Sequence, residues 1–250
     1  MLNAISSSSS PVATSPRSDA AKPVTTGSAA IPGSVETQIS PLARLLADST
    51  QLMETRVSSM PPSEQRSLAD QAMNQISGPS YHARQNEYDR QTPQSDDPAR
   101  LQLAASATAF LHARQSGKEN VPNPFSGLSR EQLTAIVNDD SGRFTVNERR
   151  AADYAASDLE QAWRRQAVQA ARAEYESSGT RRGFFEEVLR HYQNLPVLEQ
   201  ARYPSDYVEQ LKNRIRLEPE IVDHDREDAI WLPIRQLDKG PISNPQAKPI

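Results

Sequence analysis

The chain has no cysteine, which excludes a disulfide framework, a thiol nucleophile and a cysteine-based zinc site. It also lacks any run of about 18 apolar residues that would cross a bilayer, so no membrane span is expected. Hydrophobic residues make up 36% of its 250 positions and aromatics 6%, with a mean hydropathy of -0.71. Such values are low for a chain folded throughout, so part of it is expected to stay outside any packed core. Basic charge is short as well. Lys and Arg number 28 against 32 Asp and Glu, giving a net charge of -4 and a pI near 5.7. A chain of that balance has no broad cationic face with which to displace counterions from nucleic acid. The first ten residues lack the basic start and apolar centre of a secretory signal, so the protein is expected to be cytoplasmic, or else secreted without a cleaved signal peptide.

Proline is plentiful where glycine is scarce, 19 against 9, and its placement divides the chain. Residues 1–39 combine a five-serine run from Ser6 with Pro11, Pro16, Pro23 and Pro32, and offer too few large apolar groups to offset ordering entropy. They read as a disordered tail, and a serine-rich, acid-free start also suits a type III secretion signal. Residues 40–78 read as a helical hairpin, with Leu42, Leu45, Leu46, Leu52, Met53 and Val57 on one stripe and Leu68, Ala69, Ala72, Met73 and Ile76 on the next. Residues 79–96 are polar and aperiodic and read as a linker. Residues 97–217 read as a helical domain, opened by Asp97 as a cap with Pro98 in the first turn and a small-residue face of Leu101, Ala104, Ala105, Thr108 and Leu111. Residues 218–250 read as a mostly irregular tail. The fold class is therefore all-α: a helical hairpin plus a C-terminal bundle around one long helix.

The long helix is announced by two consecutive capping boxes. Ser129 with Gln132, then Thr145 with Glu148, have the S/T-x-x-E/Q spacing in which side chain and backbone cap each other. The second opens a helix reaching Ser178, with Gly179 as its left-handed stop and Tyr154, Ala155, Leu159, Trp163 and Tyr175 among its candidate buried positions. Phe184, Phe185, Val188, Leu189 and Tyr192 line the next helix and mark the expected main core. The arginine pairs Arg149-Arg150, Arg164-Arg165 and Arg181-Arg182 each lie near acids and read as solvated, salt-bridged helix surface.

Between the two boxes runs an aspartate-rich turn that resembles a degenerate EF-hand loop. In that register Asp139, Ser141, the Arg143 carbonyl, Thr145 and Glu148 take ligand places around Gly142, and calcium is the ion implied. Val137 stands where the first aspartate belongs, Arg149 follows where an apolar residue is usual, and no second loop pairs with this one. Glu148 is equally explained as a capping residue. More widely, NPFSGLSREQLTAIVNDDSGRFTVNERRAA, with FFEEVLRHY and YPSDYVEQL after it, resembles a group of small, uncharacterised Gram-negative bacterial proteins with a variable serine-rich N-terminus. The resemblance covers residues 123 to 217 and implies domain limits and a bacterial source, not a chemistry.

Catalytic patterns are wanting. His82, His112, His191 and His224 show no H-E-x-x-H spacing, and there is no phosphate loop, dinucleotide fingerprint or nucleophile elbow. The expectation is a non-enzymatic helical module that binds a protein partner, with no cofactor unless the loop takes calcium. A type III effector or accessory protein is the first alternative, a calcium-responsive module the second. The oligomeric state is not legible.

Overall fold

The computed structural model describes residues 41–118 and 120–218, all within one unit spanning Ile39–Ile250. The tail expected over 1–39 and all but the first residue of the tail expected over 218–250 lie outside them. Among the described residues every element is helical: α1 (Pro41–Ser58), α2 (Pro62–Ile76), α3 (Pro79–Tyr88), α4 (Pro98–Gln115), α5 (Arg130–Val137), α6 (Val146–Ser178), α7 (Arg182–Gln193), α8 (Val197–Gln200) and α9 (Tyr207–Leu217). No described helix is long and apolar enough to cross a membrane.

The starts follow local chemistry. Asp97 accepts the Ala99 N–H at 3.0 Å to open α4, and both capping boxes, Ser129–Gln132 and Thr145–Glu148, are formed in both directions. Gly179, at φ 69, ends α6 in the left-handed region that a side chain resists.

One expected linker is largely helical. Pro79 supplies a preset first turn for α3, and Tyr81 and Tyr88, two turns apart and each 2% exposed, bury one edge of it with their rings stacked at 5.5 Å. Apart from Pro79 and Ala83 the other residues of that helix are polar, which is why its period does not stand out. The small-residue face of α4 is also rotated from expectation. Leu101 and Ala105 face solvent, while Arg100, Ala104, Ala107, Phe110 and Leu111 turn inward.

Two cores lie in succession along α6, which at about 1.5 Å per residue runs for roughly 50 Å. The larger surrounds its first half, where Ala151, Ala152 and Ala155 let α4 and α5 approach closely and Ile76, Phe110 and Ile136 fill the space. The smaller joins Ala167 and Ala171 to Phe184, Phe185 and Val188 of α7 and Leu211 of α9. The phenylalanine pair thus marks the lesser core, and Leu159, expected inside, is 43% exposed. A third cluster links α1 and α2 through Val57 and Leu68, with Ala135 and Leu198 beneath them.

Candidate functional site

The loop that resembles an EF-hand turns on Gly142, at φ 83. Asp139 is 5% exposed; its Oδ1 accepts the Ser141 backbone N–H at 2.7 Å and the Ser141 hydroxyl at 2.5 Å, and its Oδ2 accepts Ser49 of α1 at 3.4 Å. The remaining candidate ligands look elsewhere. The Arg143 carbonyl accepts Arg100 Nη2 at 2.6 Å, and the fully buried Glu148 takes both arms of the same guanidinium, Nη1 on Oε1 and Nη2 on Oε2 at 2.9 Å. Oε2 also accepts the Thr145 N–H at 2.8 Å and the Thr145 hydroxyl at 3.0 Å.

Calcium asks for six to eight converging oxygens at about 2.3–2.6 Å. Here Asp139 and Ser141 satisfy each other, while the Arg143 carbonyl and Glu148 converge on a guanidinium that already supplies the positive charge. As arranged, the five residues do not fit the ion. No group of three or more acidic, histidine or cysteine side chains among the described residues could hold a metal.

What the loop does build is the first turn of α6, where four consecutive residues each tie down other helices. Asn147, 0% exposed, accepts the Tyr81 hydroxyl at 2.9 Å and donates to Asp89 at 2.9 Å and Thr108 at 3.1 Å. Glu148 holds α4 through Arg100. Arg149 donates to the Val137 carbonyl at 2.9 Å and to Gln75 at 2.5 Å; Arg150 donates to the Ile76 carbonyl. Val137 and Ile76 are the last residues of α5 and α2, so both arginines sit at helix C-termini, where the macrodipole favours a cation. Burial pulls the Arg149 guanidinium below its ordinary range, against Asp139 and Asp140, while burial pushes the Tyr81 hydroxyl up to about 12, against Arg150, and so keeps it a donor. Gln91, also from the expected linker, accepts the Val146 N–H at 3.0 Å.

A second polar junction lies where the α5 start and α8 meet the middle of α6. Glu160 Oε2 accepts Arg130 at 2.7 Å and pairs with His191 Nε2 at 2.9 Å, and its Oε1 accepts Arg164 at 3.2 Å. Arg130 is shared with Glu199, at 2.7 Å, and Thr134 donates to the other oxygen of Glu199 at 2.6 Å. The His191 ring stacks on Trp163 with centroids 3.5 Å apart and planes within 6°. Burial would raise the Glu160 carboxyl, but the hydrogen bonds from His191 and Arg130 outweigh it and hold it at about 2.

The arginine pairs therefore depart from the surface reading. Arg149 is buried, and Arg150, Arg164 and Arg181 are half-buried, each engaged with the protein; only Arg165 and Arg182 are exposed. One signal pointed inward: cations disfavour a helix N-terminus, so Arg149 and Arg150 in the opening turns of α6 need another reason to be there.

Beside the loop, a groove of about 660 Å³ opens between α1, α4 and the segment before α4. Leu42, Leu45, Leu103 and Ala99 make its apolar wall, and Gln94, Gln102 and Arg143 stand among its polar lining. The Arg143 side chain is exposed and makes no ion pair with a described residue. No family model, curated protein or solved structure matches the chain.

Proposed function

We propose that the protein is a non-enzymatic binding module that takes a segment of a partner protein along the α1–α4 groove. The observation that carries this reading is the pairing of an apolar wall with a guanidinium at its mouth that no described acid pairs. Leu42 is 37% exposed there, and Leu45 and Leu103 are half-buried against the main core, so an apolar side chain can seat on a rigid floor. The partner segment that suits this surface carries apolar anchors and a carboxylate placed for Arg143. The position of the groove adds support. Its rim is the 139–143 loop, which the clamped first turn of α6 holds in place, so the surface is preorganised and loses little on binding.

The test keeps Arg143 and places a photo-crosslinking residue at position 102, exposed in the groove lining, and, as a control, at position 71 on the exposed side of α2. Adducts with a defined partner at 102, lost in Leu42→Asp or Arg143→Gln and absent at 71, support the reading; identical adducts at both positions, or adducts at 102 untouched by both substitutions, overturn it. Export through a type III apparatus is a proposal about residues outside those described. A reporter fused to residues 1–50 tests it, and retention of that reporter in a secretion-competent strain would sink it.

A further inference from the structure

Away from the groove, α3, α4 and α6 enclose a notch of about 210 Å³, room for several waters or one small polyatomic anion. Its lining holds two guanidiniums and an imidazole, and no aspartate or glutamate among the described residues. The Arg114 guanidinium lies 4.4 Å from the Tyr154 ring centroid. Arg150 lies 4.0 Å from that of Tyr81 and 5.5 Å from that of Tyr154. These cation–π contacts set the planes of two long side chains that would otherwise be mobile. Arg150 is further fixed by the Ile76 carbonyl and by the Tyr154 hydroxyl at 3.4 Å, and His82 is seated edge-on against Tyr81 at 5.6 Å. The Gln85 side-chain amide donates to Gln115 Oε1 at 3.0 Å and so braces α3 against α4 across the notch.

The charge account decides what fits. Among the described residues, Asp153 and Asp89 bear on these lining groups, and neither lines the notch. Asp153, which bears on Arg150, has its carboxyl pushed above the usual range by burial, against Arg202 and Arg150. Asp89, which bears on Tyr81, is already engaged by His112 at 2.9 Å and by Asn147 at 2.9 Å. Arg114 is exposed and makes no ion pair with a described residue. A surplus of cationic donors with fixed planes matches a compact oxyanion carrying more than one negative charge, which a guanidinium fork can grip through paired oxygens.

We propose that this notch binds a phosphate group, free or carried by a small phosphomonoester, with Arg114 and Arg150 as its principal donors and His82 at the rim. The test is calorimetric titration of the full chain with inorganic phosphate, phenyl phosphate and acetate at matched ionic strength. Saturable phosphate binding is expected, weakened about tenfold or more in Arg114→Gln, the loss of one charge-assisted donor pair. Thermal melting of that variant should fall only slightly, by the loss of the Arg114–Tyr154 cation–π contact, and stay a single cooperative transition, so that weaker binding is not unfolding. Gln115→Glu, which adds a carboxylate to the lining, should weaken binding as well. A higher affinity for phenyl phosphate assigns the ester and a higher affinity for the inorganic ion assigns free phosphate; either upholds the site. Equal affinity for acetate, unchanged binding in Arg114→Gln, or no saturable binding of phosphate overturns it.

Discussion

The two polar junctions on α6 hold helices by different means. At its first turn the partners are mainly the Val137 and Ile76 carbonyls, amides and hydroxyls, with the Asp89 carboxylate on Asn147 and one enclosed Arg100–Glu148 pair. Near its middle the partners are carboxylates shared among arginines and a histidine: Glu160 with Arg130, Arg164 and His191, and Glu199 with Arg130. Backbone carbonyls do not titrate, and an arginine keeps its proton at any ordinary pH. The first junction therefore clamps the larger core mainly through groups that do not titrate, whereas the second ties the α7–α9 region to it almost wholly through carboxylates shared with arginines and a histidine. Rigidity near the groove and adjustability far from it come from the choice of hydrogen-bond partner, not from the amount of apolar burial alone.

The harshest way to break this contrast is Glu148→Gln. The side chain can still cap α6, but Arg100 is left buried without its counter-charge, and a loss of about 3–5 kcal/mol is expected by denaturant unfolding. If that loss is under about 1 kcal/mol, the first junction is no clamp. The second prediction concerns acid. Glu160 has its carboxyl at about 2 in the folded chain against an ordinary 4.5, so its contribution is complete above about pH 4.5 and declines as pH falls toward 2. The size is ~3 kcal/mol, and Glu160→Gln should abolish that part of the acid dependence of the unfolding midpoint while Glu148→Gln leaves it in place.

Arg149→Met should cost about 1–3 kcal/mol, the penalty for leaving the buried Val137 carbonyl unsatisfied, and the loss should be the same at pH 5 and pH 8. His191→Phe keeps an aromatic ring on Trp163 but removes the hydrogen bond to Glu160, so the acid transition should move to higher pH with a loss of about 1 kcal/mol at neutrality. The smallest effect belongs to the exposed pair Arg56–Asp140, 2.6 Å apart. Arg56→Ala should change stability by less than about 1 kcal/mol and lose even that in high salt.

How much of this was legible in the chain depends on how far apart the interacting residues lie. The starts of α4, α5 and α6 could be read because Asp97, Ser129–Gln132 and Thr145–Glu148 satisfy their own backbone within three residues. The inward turn of Arg149 and Arg150 could not, since their acceptors end two other helices and no local pattern names Val137 or Ile76. Helix α3 escaped because only Tyr81 and Tyr88 anchor it, and Tyr pairs seven apart in a polar run carry little periodic signal. The Glu148 geometry could be foreseen as a cap, but Arg100, 48 positions away, was the missing half of its role. The Glu160 junction gathers Arg130, His191 and Glu199 from three separate helices, and nothing in their spacing announces it.

The beginning of α7 is capped locally only at its first N–H, where the Thr180 hydroxyl accepts Arg182 at 3.2 Å. Arg181 contributes no side-chain cap, and the Gly183 and Phe184 N–H groups are instead accepted by Glu174 of α6, at 2.7 and 2.9 Å. A side chain at position 183 would press into that carboxylate, since a Cβ there would stand 2.9 Å from Glu174 Oε1. Part of the instruction for where α7 starts is thus written in the preceding helix. During synthesis α6 is complete before the first turn of α7 exists, so the order of emergence from the ribosome is the order in which this cap can be made. A circular permutant opened between residues 178 and 180 reverses that order and should fold more slowly to the same end state.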